Sequence, residues 1–103
     1  MISVIVPHFN QPDYLDRCLA SLLPQASGAE IIVVDNGSTV RPEPVVARYP
    51  GVILLEERTQ GPGPARSHGA RSAKGDLLAF IDADCVADPG WLAAIGRAFA
   101  DPA

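Results

Sequence analysis

The sequence predicts an α/β protein built on an open, mostly parallel sheet of strand order 3-2-1-4, with helices on both faces. Three observations predict it. Four short apolar runs, at 2–7, 30–35, 52–55 and 77–81, each end at a polar or proline-bearing segment, as strands buried on both faces do. Segments with apolar residues three and four apart lie between and after them, and strands alternating with helices build βαβ units. Glycine and proline cluster at the junctions between these segments.

Ile2-Ser3-Val4-Ile5-Val6-Pro7 reads as a first buried strand stopped by its proline. Pro12 and Asp13 open a helix whose apolar positions are Tyr14, Cys18, Leu19, Leu22 and Leu23, ended by Pro24 and Gly28. Glu30–Asp35 is the second strand, and Asn36-Gly37-Ser38-Thr39 a turn. Pro42 starts a short helix through Arg48, Pro50-Gly51 break it, and Val52–Leu55 is the third strand. Gln60 to Pro64 is a stiff irregular loop. A helix follows from about Pro64 to Lys74 with Gly75 as its stop. Leu77–Ile81 is the fourth strand. The last helix takes Asp88 as N-cap and Pro89 as its first residue, and Trp91, Leu92, Ile95 and Phe99 form its apolar face.

The chain has 103 residues, enough for one small domain spanning 1–103. Hydrophobic residues make up 48%, which excludes disorder, and the net charge of −4 disfavours nucleic acid or an anionic membrane surface as partner. No apolar stretch approaches the roughly 20 residues that span a bilayer. The chain enters a strand at once without a basic leader, and Cys18 and Cys85 make neither a disulfide framework nor a usual zinc pattern. A cytoplasmic setting is the expectation, with membrane association left to regions outside this chain.

In the order 3-2-1-4 the topological switch point lies between strands one and four, where ligands of open α/β sheets bind at the carboxyl ends of strands. Pro7-His8-Phe9-Asn10 and Asp82-Ala83-Asp84 bound that crevice. Two carboxylates spaced i and i+2 project to one side of an extended backbone. Carboxylates suit magnesium or manganese, which keep waters and take their remaining ligands from phosphate oxygens. Asp84 is the candidate ligand, with Asp82 beside it. Asp35 ends the second strand alike and could accept from an imino N–H of a nucleobase, although Asp-Asn-Gly is also strong turn chemistry. Arg66, near the start of the third helix, could clamp a phosphate or pair with an aspartate. Arg71 reads as solvated. His8 and His68 read as structural. Gly61 to Arg66 lacks the third glycine of a dinucleotide fingerprint and does not follow the first strand.

These segments, in order, resemble the opening of a family 2 glycosyltransferase: Val4-Ile5-Val6-Pro7-His8-Phe9-Asn10, Cys18 to Leu23, Ile32 to Thr39, Gly63 to Ala70, and Ala73 to Asp84. The resemblance implies the GT-A fold (a Rossmann-like nucleotide-binding half), a nucleotide-diphospho-sugar donor and a divalent cation. By position it implies that Pro7 and Phe9 line the nucleotide pocket, that Asp35 contacts the base, and that Arg66 serves the diphosphate or an aspartate. Asp82 would face ribose and sugar, and Asp84 would hold the metal. Val40, Ser67 and Cys85 depart from the family pattern, Cys85 standing where a second acid is frequent.

The resemblance further implies an inverting transfer whose general base comes from an acceptor half beyond Ala103, so no catalytic base is identified here. Residues 1–103 are accordingly expected to be the donor-binding half. A nucleotide-binding module without transferase activity, or an inactive fragment, is the alternative. A nucleotidyltransferase would carry a glycine-rich loop after strand one, where Pro7-His8-Phe9-Asn10 stands. Strand 77–81, as a sheet edge with apolar side chains, is expected to drive homo-oligomerisation.

Overall fold

The computed structural model describes residues 1–100. Val4, Ile5 and Val6 have no exposed surface, and they place β1, Ile2–His8, at the centre of the sheet. β1 pairs in parallel with β2, Glu30–Asp35, on one side and with β4, Leu77–Phe80, on the other. β3, Ile53–Glu56, pairs in parallel with β2. The order is β3-β2-β1-β4, as the sequence predicts. The helices are α1, Pro12–Leu22, α2, Glu43–Val46, α3, Pro62–Ser72, and α4, Trp91–Ala100.

Successive residues of a strand point to opposite faces, and β1 divides its side chains accordingly. Val4 and Val6 join Leu15, Leu19, Val33 and Leu92 in the larger core. Ile5 joins Ile32, Val34 and Ala65 in a smaller core under α3. Gly69 lets α3 approach closely, because a Cβ there would lie 2.6 Å from Ile5 Cγ2.

Several element ends differ from expectation. β1 runs through Pro7 to His8. Ile81 N–H donates to Ile5 O and Asn36 N–H to His8 O. Alternate residues face alternate neighbours, so Pro7 directs its missing N–H toward the side that β4 has already left. In α1 the buried stripe is Leu15, Cys18, Leu19 and Leu22. Tyr14 turns outward, with the Arg17 guanidinium 5.4 Å over its ring. α2 is shorter than expected and starts with Pro42 as its cap.

α3 begins at Pro62 rather than Pro64, because both prolines fall in the first turn, where N–H groups lack intrahelical partners anyway. Ala73 is already extended, so Gly75 is not the helix stop. α4 begins at Trp91 instead of Pro89. Gln25 supplies the cap from a distance: its Oε1 accepts from Leu92 N–H at 3.0 Å, while its Nε2 donates to Asp88 O at 2.8 Å. Phe99, assigned to the apolar face, is exposed.

Candidate functional site

The last register pair of β1 with β4 is Ile5↔Phe80. Beyond it the two chains part, and the gap opens into a cleft of about 370 Å³. Pro7 and Phe9 form one wall, Asn36 and Gln60 a second, and Asp82 and Asp84 a third. The Phe9 ring is about half exposed and free to stack on a planar ligand.

The acidic wall follows from one buried methyl. Ala83 is 2% exposed and packs in the larger core. With Ala83 turned inward, Asp82 and Asp84 both project outward. Cys85 N–H donates to Asp82 O at 3.0 Å and curls the loop back on itself. One carboxylate oxygen each from Asp82 and Asp84 and the Cys85 sulfur lie within 4.8 Å of one another. The Cys85 thiol donates to Asp84 Oδ1 at 3.5 Å. This hydrogen bond, followed by slight desolvation and the charges of Asp84 and Asp82, pushes the thiol pKa up. The buried Cys18 thiol, 3.8 Å from Asp82 O, is pushed up to about 12, first by burial and then by Cys85 and the same acids. Such a donor set fits a divalent cation, with carboxylate oxygens as its ligands.

Arg66, on α3, reaches Asp82 with Nη2 3.4 Å from Oδ1. Both side chains are substantially exposed, so the pair contributes little to stability. Its consequence is local, because it holds a guanidinium at the mouth of the acidic wall.

Asp35 differs from its expected place. Its carboxylate has no exposed surface and does not line the cleft. The register sets it level with His8 on β1. Oδ1 accepts from His8 Nδ1–H at 2.8 Å and from the Ser38 hydroxyl at 2.6 Å. Oδ2 accepts from Ser38 N–H at 3.0 Å and from Arg41 Nη1 at 3.2 Å. Burial would raise its pKa, but the bonds from Ser38 and His8 together outweigh it and hold the carboxyl below its ordinary range. Gln11 N–H donates to His8 Nε2 at 3.0 Å, which fixes the Nδ1–H tautomer.

The same network ties two loops together. Asn10 N–H donates to Ser38 Oγ, and Asn10 Oδ1 accepts from Thr39 N–H and Val40 N–H. Asn10 has φ +52°, a conformation asparagine tolerates better than most residues. The Phe9 wall is therefore fastened to the turn after β2.

Asn36 and Gln60 line the cleft without having been anticipated. Asn36 Nδ2 donates to Glu57 O and Thr59 O, and its Oδ1 accepts from Gly61 N–H. Gln60 Nε2 donates to Asn36 O at 2.8 Å and would lie only 2.8 Å from a Cβ on Gly37. Gly37, at φ +82°, thus makes room for it. The sequence held one usable signal: a residue just past a buried strand end faces the crevice more readily than the strand's last residue.

Comparison with known proteins completes the picture. The family model described as glycosyl transferase family 2 matches residues 3–103. Glycosyltransferase AglE of Haloferax volcanii is 33% identical over 99 residues, covering 88% of this chain and 33% of the relative. Validoxylamine A glucosyltransferase of Streptomyces hygroscopicus subsp. jinggangensis is 33% identical over 111 residues, covering 100% of this chain and 26% of the relative. Among solved structures, a mannosyltransferase from Pyrobaculum calidifontis in complex with GDP-Man and Mn2+ superposes with TM-score 0.88 at 28% identity, covering 98% of this chain and 32% of that one. Glucosyl-3-phosphoglycerate synthase from Mycobacterium tuberculosis, in complex with Mn2+, UDP and glucosyl-3-phosphoglycerate, superposes with TM-score 0.80 at 26% identity, covering 99% and 40%. The chain thus spans about a third or less of the length of these two curated relatives.

Proposed function

This chain belongs to glycosyl transferase family 2, and on that premise we propose that its cleft receives the nucleotide diphosphate of a sugar donor. Transfer of the sugar to an acceptor, with inversion, is proposed for the whole protein, and residues 1–103 are its donor-binding half. The observation that carries this reading is the cleft at the switch point, with Phe9 on one wall and two outward carboxylates on another.

Each residue has a role that its surroundings support. Pro7 and Phe9 pack on the base. Asp35 acts from behind, holding His8 and the Ser38 turn so that Phe9 and Asn36 keep their places. Arg66 exchanges its contact with Asp82 for one with diphosphate oxygens. Asp82 faces ribose and sugar. Asp84, joined by Asp82, holds magnesium or manganese. Bound there, the cation offsets negative charge on the departing diphosphate. The described helices include none long and apolar enough to cross a membrane.

Two measurements check this reading. In a thermal-shift panel of nucleoside diphosphates, the melting temperature rises with manganese and nucleotide together and not with nucleotide alone. Equal shifts with and without metal would remove the cation from the reading. Incubation with nucleotide-sugars then separates transfer from mere capture: freed nucleotide or a transferred sugar supports the enzyme, and unchanged donor supports a binding module.

We also propose that β4 mediates self-association. Leu78 and Phe80 are 43% and 44% exposed on the face that α3 leaves uncovered beside β4. Edge pairing with a second copy would cover them and satisfy free backbone groups. Size-exclusion chromatography with light scattering is expected to give a dimer mass at high concentration. A monomer mass throughout rules this out.

A further inference from the structure

We propose that Gln60 selects the nucleobase, its Oε1 accepting the ring N–H that uracil, thymine and guanine carry and that cytosine and adenine lack. The proposal rests on the donor-cleft reading above and names the class of base that the same cleft takes. Phe9 offers a ring to stack on, but every base has a face to stack. Selection needs a polar atom at the edge of the base.

Most polar groups of the cleft are already spent inside the protein. His8 uses both ring nitrogens, on Asp35 and on Gln11 N–H. Asn36 gives both protons of its Nδ2 to Glu57 O and Thr59 O, and its Oδ1 accepts from Gly61 N–H. Asp35 lies behind the wall, held by His8, Ser38 and Arg41. Asp82 and Asp84 form the opposite, acidic wall.

Gln60 differs. It is exposed in the cleft, and its Nε2 donates to Asn36 O at 2.8 Å. Asn36 O can only accept, so the NH2 must face it and Oε1 is the end left for a ligand. Gln11 also lines the cleft, but its side chain makes no hydrogen bond to the end of α1. Ordering Gln11 on binding would cost rotamer freedom that the Asn36 bond has already taken from Gln60. A Cβ on Gly37 would stand 2.8 Å from Gln60 Nε2, so the turn after β2 leaves the room this amide needs. Opposite a ring N–H, Oε1 gains a hydrogen bond. Opposite the bare ring nitrogen of cytosine or adenine, two lone pairs face each other.

Calorimetry with manganese on two pairs, UDP with CDP and GDP with ADP, tests this. The wild-type chain is expected to prefer UDP over CDP, or GDP over ADP, by roughly 10-fold, the worth of one neutral hydrogen bond. Gln60→Ala should bring that ratio close to one by weakening the preferred nucleotide. Gly37→Ala keeps the glutamine but pushes its amide aside, and the folded variant should lose the same preference.

Equal or reversed affinities within both pairs overturn the proposal. So does a ratio that survives Gln60→Ala, or one lost in Gln11→Ala instead. The two readings fail separately. Manganese-dependent binding of all four nucleotides without preference leaves the donor cleft standing and removes Gln60. No metal-dependent binding of any of the four removes the donor reading, and the role of Gln60 with it.

Discussion

Asp84→Asn is expected to abolish manganese-dependent nucleotide binding and to leave the fold intact. Asp84 is exposed at the end of a loop whose conformation is fixed by the buried Ala83 and by the Cys85–Asp82 backbone bond, neither of which uses the Asp84 side chain. A surface substitution of this kind shifts stability by no more than about 0.5 kcal/mol. Metal binding responds differently. Asparagine keeps a carbonyl oxygen but loses the charge that draws a divalent ion, and hard ions bind oxygen sites largely through that charge. The affinity for nucleotide with manganese should fall by at least roughly 100-fold, the upper end of what loss of an outer-sphere partner alone costs a metal site. Asp82→Asn should cost less, since Asp82 already shares its charge with Arg66. Calorimetry with manganese and UDP or GDP measures both. Unchanged affinity in Asp84→Asn removes this residue from the site.

The sheet was legible because each strand announces itself. Val4 to Val6, Ile31 to Val34 and Leu77 to Phe80 are apolar runs between breakers, and their alternation with helices leaves few parallel topologies. The acidic wall was legible only in part: Asp82 and Asp84 share a side, as an extended backbone would place them, but Ala83 and Asp84 lie in a turn, and it is the buried Ala83 that sets both carboxylates outward. Contacts between segments were not legible. That Gln25 caps α4, across 67 residues of chain, depends on where a 3-10 turn delivers one amide. That Asp35 is sealed inside depends on the register, which sets His8 beside it and brings Ser38 and Arg41 around it. Residue types alone suggested an acid reaching for a ligand. Four donors within the protein reach it first.

Asp35→Asn is accordingly expected to cost stability before it costs binding. An asparagine can present its carbonyl to His8 and the Ser38 hydroxyl, or to Ser38 N–H and Arg41, but not to both sets. Whichever way the amide turns, its NH2 faces donors that then lose their acceptor in a buried setting. Each buried donor left without its acceptor costs about 1–3 kcal/mol, more where the lost bond was to a charge. A small domain has only about 5–15 kcal/mol in all, so urea unfolding at pH 7 should show a sharply lower midpoint.

The pH dependence separates the charge from the shape. The Asp35 carboxyl is held below its ordinary range in the folded state. Its contribution is therefore full above the unfolded pKa, near 3.9, and is lost as pH falls through the folded value. Asp35→Asn removes that part of the acid limb, so wild type and variant should converge in stability as pH drops below about 4. Direct contact of Asp35 with a nucleobase would instead show as a wild-type urea midpoint in Asp35→Asn, or as a loss of nucleotide affinity in the folded variant beyond what its lower stability explains. That outcome would return the carboxylate to the cleft wall and leave His8, whose imidazole spans Asp35 and Gln11 N–H, without the anchor that holds the Phe9 loop against β2.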